Sequence, residues 1–334
     1  MIATFVELGR RLRAVEPGDG IVAEACRENP WFTPAEVCRA LRTLADDMLE
    51  ARKLELWLSR YPQLPVAEPC DVAVVMAGNI PAVGFFDLLC VLASGHRALV
   101  KPSSKDSVTM RFIVRTLLDI APGTRVAFYD GGRVDAAIAT GSDNANRYFR
   151  SQFGDIPSLL RGNRHSAAVL AGDESDEELQ GLSDDIFAYS GLGCRNVSLI
   201  FLPRGSQLRL PRPADLNPKY LNNYRQTRAL AAMCGREATD TGFAVLCRER
   251  DFPRELSCIN YDFYDSTDEV RDFLSVRDNE LQCVVTRAIE HPRRAGFGRA
   301  QHPSLADMPD DRDVPAFLGG IKPAHSNTDR HHSL

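Results

Sequence analysis

The side chains best equipped for covalent chemistry in this 334-residue chain are its nine cysteines, at positions 26, 38, 70, 90, 194, 234, 247, 258 and 283. They form no CxxC pair and have no His at ligand spacing, so neither a disulfide framework nor a zinc site is indicated, and no metal is expected. Cys90, Cys247, Cys258 and Cys283 lie inside apolar runs and read as buried small hydrophobes. Cys194 differs, because Ser190-Gly191-Leu192-Gly193 leads into it. A glycine-flanked turn lets a substrate approach the backbone, and a thiolate attacks an activated carbonyl readily. If a helix starts at this turn, its N-terminus and the adjacent Arg195 would lower the thiol pKa. On spacing alone, a buried structural cysteine is the stronger reading here too.

Three further turns could carry function: Gly78-Asn79-Ile80-Pro81, Lys101-Pro102-Ser103-Ser104 and Ala139-Thr140-Gly141-Ser142. With the Cys194 turn they are expected at the carboxyl ends of strands, where an α/β sheet collects its functional groups. Any one of them alone also satisfies the need of a helix start for small and capping residues.

The elements that would position these turns follow from periodicity. Residues 20–62 read as a helical region, with Thr33 as N-cap, Pro34 at the first helical position and apolar residues at Val37, Leu41, Leu44, Met48 and Leu49 before the stop at Pro62. From residue 71, short apolar runs alternate with helical periods, the pattern of βαβ units and a largely parallel sheet. Strands are expected at Asp71–Met76, Arg97–Val100, Arg125–Tyr129, Ala136–Ala139 and Ala167–Leu170, with helices at Pro81–Ala93 and Ser107–Ile120. A second such region holds helix Asp176–Tyr189, strand Asn196–Leu202, helix Lys219–Met233, strands near Phe243–Cys247 and Cys258–Phe263, and Leu281–Thr286.

Composition narrows the class. Hydrophobic residues at 44% and charged residues at 25% are ordinary for a globular protein, and the length suggests about two domains. A net charge of −5 without a basic run longer than a pair leaves no footprint for nucleic acid. Val72–Ser94 is apolar over a membrane-spanning length, but Gly78-Asn79-Ile80-Pro81 interrupts it and Asp87 would be costly in lipid, so a buried strand, turn and helix are expected instead. The first residues lack a secretory pattern, and a cytoplasmic location is the expectation.

The blocks GNIPAVGFFDLL, LVKPSSKD, ATGSDN, RGNRHSAAVL, DIFAYSGLGCRNVSLIFLP, YLNNYRQTRALA, NELQCVV and FGRAQHP, taken in order over residues 70–318, resemble the aldehyde dehydrogenase superfamily. The resemblance is to its acyl-CoA reductase branch, typified by the fatty acyl reductase of bacterial luminescence. It implies an aldehyde dehydrogenase-like α/β fold, with two Rossmann-like parallel-sheet domains and an N-terminal helical region. The implied organisation is residues 1–70 helical and part of the cofactor domain, 71–173 binding NAD(P), 174–295 carrying Cys194, 296–321 returning, and 322–334 a disordered tail.

The resemblance makes Cys194 the nucleophile and puts Asn79 at the oxyanion position, donating together with the Cys194 backbone N–H. It assigns Lys101, with Ser103 and Ser104 in the same turn, to the adenosine ribose, Gly141 and Ser142 to the phosphates, and Glu280 to the nicotinamide ribose. Ser104 stands where NAD-preferring relatives carry a glutamate; with Lys101 and Lys105 nearby, a neutral hydroxyl accommodates a 2′-phosphate, so NADPH is expected over NADH. Leu160 occupies the place of the general-base glutamate of aldehyde-oxidising members, so hydrolytic deacylation should be slow. His165, nearby, reads as structural. Leu199 and the pair Arg225-Gln226 replace a Lys and an Asp-Tyr pair of the nearest relatives, which bears on substrate or partner contact.

These implications describe an NADPH-dependent reductase turning an acyl thioester, acyl-CoA or acyl carrier protein, into an aldehyde through an acyl-cysteine. Two alternatives stand beside it: a cysteine acyltransferase or thioesterase without hydride transfer, and a non-catalytic acyl-binding subunit. Superfamily habit implies a homodimer, while the lack of an obvious dimerising hairpin leaves a monomer open.

Overall fold

A computed structural model describes residues 1–323; the expected tail from residue 324 onward lies outside the described residues. Four helices come first: α1 (Ile2–Arg13), α2 (Gly20–Glu28), α3 (Pro34–Asp47) and α4 (Ala51–Leu58). Thr33 caps α3 in a capping box with Glu36, and Pro34 takes the first helical position. The single helix expected to reach Pro62 is divided at residues 48–50 into α3 and α4. Met48 and Leu49 are buried in the break, so the apolar period continues while the backbone does not.

The first sheet follows, from β1 (Asp71–Val75), α5 (Phe85–Ala93), β2 (Arg97–Lys101), α6 (Ser107–Ile120), β3 (Val126–Phe128), β4 (Ala136–Thr140), α7 (Asp143–Phe153) and β5 (Ser158–Arg161). Its order is β3-β2-β1-β4-β5 and every pairing is parallel. The chain leaves β1 toward β2 on one side and β4 toward β5 on the other, so the switch point of the sheet lies between β1 and β4. Every residue of α5 is buried, which accounts for the uninterrupted apolar run around Asp87. No helix among the described residues is long and apolar enough to cross a membrane.

The second sheet comprises β6 (His165–Val169), α8 (Asp176–Phe187), β7 (Val197–Pro203), α9 (Pro218–Met233), β8 (Ala238–Asp240), β9 (Val245–Arg248), β10 (Cys258–Tyr264), α10 (Thr267–Val276), β11 (Leu281–Thr286) and β12 (Arg294–Ala295). Its order is β12-β11-β6-β7-β10-β9-β8, parallel except for the β8–β9 edge. This corrects the expectation that the strand at Ala167–Leu170 continues the first series. The strand at 165–169 pairs with β7 and β11 rather than continuing the first sheet, so the crossing lies at residues 162–164. An apolar run shows that a strand is buried, not which sheet buries it.

The return segment closes the two halves together. Leu305, Val314 and Leu318, the last two on α11 (Val314–Gly320), join the core built by Phe5, Leu41 and Phe85 beneath the first sheet. The carboxyl end of β1 meets the loop before β7 through Asn79 and Leu192, and Arg164, just before β6, reaches the Leu281 carbonyl at the start of β11.

Candidate active site

Gly78 and Ser103 on one side, and Asn79 and Ile80 against Leu192 and Gly193 on the other, define the site by close approach. A Cβ on Gly78 would lie 2.6 Å from that of Ser103, so the turn after β1 and the turn after β2 touch, and only hydrogen at position 78 allows it. On the other side, Asn79 donates from its side-chain amide to the carbonyl of Leu192 at 2.5 Å, two residues before Cys194. Ile80 reaches Gly193, with contacts of 3.6 and 3.7 Å to an added Cβ.

The Cys194 loop is set at the amino end of β7, not at the carboxyl end of a strand as its sequence suggested. A helix does not start there either. α8 ends at Phe187, Tyr189 and Ser190 take left-handed backbone with φ 53° and 57°, and the chain passes through Gly191–Asn196 directly into β7. Asn196 stabilises this loop: its Oδ1 accepts from the Gly193 N–H at 2.8 Å, while its Nδ2 donates to the carbonyls of Asp185, Ile186 and Ala188. Ser166 Oγ, on β6, donates to the Cys194 carbonyl at 2.9 Å.

Electrostatics at Cys194 follow from this setting. Burial pushes the thiol above its usual pKa; Arg195 and Arg161 oppose the rise and Asp310 adds to it. Arg195 is not a free countercharge. Its Nε donates to the Ala300 carbonyl at 2.5 Å, and its Nη2 reaches Cys283 Sγ at 3.8 Å and Asp307 at 3.4 Å. The expected helix N-terminus is absent, and the lowering by Arg195, whose guanidinium is shared with Ala300, Cys283 and Asp307, is outweighed by the cost of desolvating the thiolate.

Arg161, at the carboxyl end of β5, is buried and ion-paired with Asp87 of α5, also buried. Arg164, three residues on, stands 3.6 Å from Asp310 of the return segment. Asp310 has φ 56° and donates its N–H to Gln282 Oε1 at 3.1 Å; burial pushes its carboxyl up. Left-handed non-glycine residues among those described are Ala82, Tyr189, Ser190, Asp310 and Asp311, and they bracket the cleft from three segments. None of Asn196, Arg161, Asp310 or Ser166 was singled out by the sequence; Asn, Arg, Asp and Ser at such places are ordinary residues until their partners are known.

The expected cofactor residues separate into groups. Lys101 and Ser104 are exposed at the end of β2, and Ser103 accepts from the Lys105 N–H through Oγ. Gly141, against Ala145 with 2.8 Å to an added Cβ, and Ser142, N-cap of the 11-residue α7, stand at the end of β4 beside the switch point. Glu280 is on the other sheet, at the amino end of β11, half-exposed and paired with Arg277 at 3.3 Å. Leu160 is packed on the core of Phe149 and Phe153 and pairs in register with Ala139, so no acid is presented from that position. His165 stacks on Phe252 with centroids 4.7 Å apart. No cluster of three or more His, Cys, Asp or Glu side chains able to hold a metal occurs among the described residues.

Two opposed parallel sheets with a cysteine loop between them are the aldehyde dehydrogenase fold, and solved structures share it. The acetylating aldehyde dehydrogenase of Geobacillus thermoglucosidasius matches with a TM-score of 0.60 at 14% identity, over 91% of this chain and 84% of that one. The NADP-dependent glyceraldehyde-3-phosphate dehydrogenase of Bacillus halodurans, solved with NADP, matches with a TM-score of 0.56 at 13% identity, over 86% and 73%. In sequence, the chain is similar to the long-chain acyl-protein thioester reductase of Aliivibrio fischeri, 22% identical over 227 residues, which is 60% of this chain and 47% of that protein. The match thus spans about half the length of that relative. No family model matches the chain.

Proposed function

We propose that this chain is an NADPH-dependent reductase that converts an acyl thioester into an aldehyde through an acyl-Cys194 intermediate. The observation that carries the reading is the join of Asn79 to the Cys194 loop through Leu192, which brings the two residues implied to do the chemistry to one place across two sheets. The similarity to an acyl-protein thioester reductase supports the substrate class.

A dinucleotide fits the residues present at the first sheet's switch point. Ser142 caps a helix whose N-terminus favours a phosphate, Lys101 supplies an exposed cation, and Ser104 places no carboxylate against a 2′-phosphate. When bound, the reduced nicotinamide supplies a hydride to the acyl carbon. Glu280 lies on the facing sheet edge, where its role is orienting the nicotinamide ribose.

In this reading the Cys194 sulfur bonds to the thioester carbonyl carbon, the oxyanion forms against the Asn79 amide and the Cys194 N–H, and the carbon–sulfur bond of the substrate breaks with its electron pair leaving on the departing thiol. One Asn79 N–H is already engaged with Leu192, so the second is the one for the oxyanion. After hydride addition, the thiohemiacetal on Cys194 releases aldehyde and restores the thiol. Leu160 activates no water, so the acyl-enzyme persists until it is reduced.

The test is intact-protein mass after incubation with a long-chain acyl-CoA, wild type beside Cys194→Ala, before and after NADPH. An adduct on wild type alone that disappears with NADPH as aldehyde forms supports the reductase. An adduct indifferent to NADPH favours an acyltransferase, and no adduct with acyl-CoA or acyl carrier protein overturns the covalent reading.

A further inference from the structure

α8 ends against the loop that bears Cys194, and it ends with its carbonyls. The Asp185, Ile186 and Ala188 oxygens point toward the loop, and a helix C-terminus is the wrong end of the dipole for a thiolate. One buried side chain, two residues after the cysteine, engages these carbonyls and also the N–H of Gly193, the residue before the cysteine. Asn196 Nδ2 donates to these three carbonyls at 3.0, 3.1 and 2.9 Å, and its Oδ1 accepts the Gly193 N–H at 2.8 Å. The partners fix which amide atom is which, because three acceptors face one end and a donor faces the other. An added Cβ on Gly193 would lie 2.9 Å from Oδ1, so glycine at 193 is what lets the bond form.

The same knot extends to the return segment. Asp185, buried, accepts the N–H groups of Gly298 and Ala300 at 2.7 and 2.9 Å, and the Ala300 carbonyl accepts from Arg195. Residues 195 and 196, on either side of one peptide bond, thus fasten the loop to α8 and to the return segment.

We propose that Asn196 is a positioning residue for Cys194: it neutralises the carbonyl end of α8 and fixes the Gly193–Cys194 backbone, and so sets the reactivity of the thiol. The proposal deepens the reading of Cys194 as nucleophile and rests on it, but it concerns the sulfur alone. Aspartate at 196 has the same shape and can still accept from Gly193, yet it cannot donate to three carbonyls and adds negative charge beside the loop.

The test is the rate of iodoacetamide alkylation of Cys194 against pH in the full chain, read by peptide mass, for wild type, Asn196→Asp and Gly193→Ala. Asn196→Asp is expected to move the alkylation midpoint up by about one pH unit, a roughly tenfold loss of thiolate at neutral pH. Gly193→Ala, which pushes on the Gly193 bond while leaving the three carbonyls capped, is expected to slow alkylation without that midpoint shift. A folded Asn196→Asp protein, with wild-type near-UV dichroism, that keeps the wild-type pH profile overturns the proposal. If Asn196→Asp does not fold, an unchanged rate in Gly193→Ala overturns it. Alkylation needs neither thioester nor cofactor, so a wild-type chain that forms no acyl adduct while Asn196→Asp shifts the profile would sink the reductase reading and leave this one standing.

Discussion

The Asn79 side-chain amide and the Leu192 carbonyl, 113 residues apart in the chain, meet at 2.5 Å and tie the turn after β1 to the loop that presents Cys194. The first sheet contributes the amide and the second the loop that carries Cys194, the proposed nucleophile, so this hydrogen bond joins the two. Asn79→Ala is expected to lower kcat about 10²-fold, the usual cost of one oxyanion donor, with a smaller change in KM. Single-turnover acylation of Cys194 by acyl-CoA, monitored by mass, checks it. A loss confined to KM would assign Asn79 to binding alone.

Cofactor choice is expected to turn on Ser104. The side chain is exposed beside Lys101 and Lys105, and Ser104→Glu would bring a carboxylate to that turn. The expected outcome is weaker NADPH binding by tenfold or more with NADH less affected, measured by fluorescence titration of both nucleotides. Equal losses for the two would place the 2′-phosphate elsewhere.

The buried pair Asp87–Arg161 joins α5 to the end of β5, and both side chains are almost fully covered. Removing one partner leaves the other charge without compensation, so Asp87→Leu is expected to destabilise the fold by about 3–5 kcal/mol. Urea denaturation gives the number. A change below about 1 kcal/mol would mean that the arginine finds another partner or reaches water.

Asp106 and Asp185 carry a pH dependence with a definite sign. Burial pushes both from an ordinary value of 3.8 to about 7, outweighing the Ala82 N–H on Asp106 and the Gly298 and Ala300 N–H groups on Asp185. Between about pH 4 and pH 7 the folded chain retains protons that the unfolded chain has released. Their contribution to stability is therefore complete below pH 4, declines as pH rises to about 7 and is flat above. Asn at position 106 has no proton to lose, so Asp106→Asn is expected to be shallower than wild type across this interval in urea midpoints measured against pH. Parallel curves would show that Asp106 ionises normally.

Local pattern determined many of the strands and helices, though α1, β5, α7, α10 and α11 are not among those expected and α5 begins at Phe85 rather than Pro81. Ser107–Ile120 and Leu281–Thr286 occupy the residues that periodicity assigns them, and the Thr33-Pro34 start of α3 is visible because N-capping is chemistry between neighbours. The four turns were legible as turns for the same reason. Which turns face each other was not. Periodicity says that Ala167–Leu170 is buried but not that β7 and β11 bury it. The Cys194 turn is grouped by its sequence with turns at strand carboxyl ends, although the elements expected around it, helix Asp176–Tyr189 and strand Asn196–Leu202, already set it before a strand, where it lies. The thiol's raised pKa, the engagement of Arg195 and the work of Asn196 depend on groups that meet only when α8, β7 and the return segment pack together. Burial and hydrogen bonding between distant residues are properties of that packing, which local sequence order does not contain.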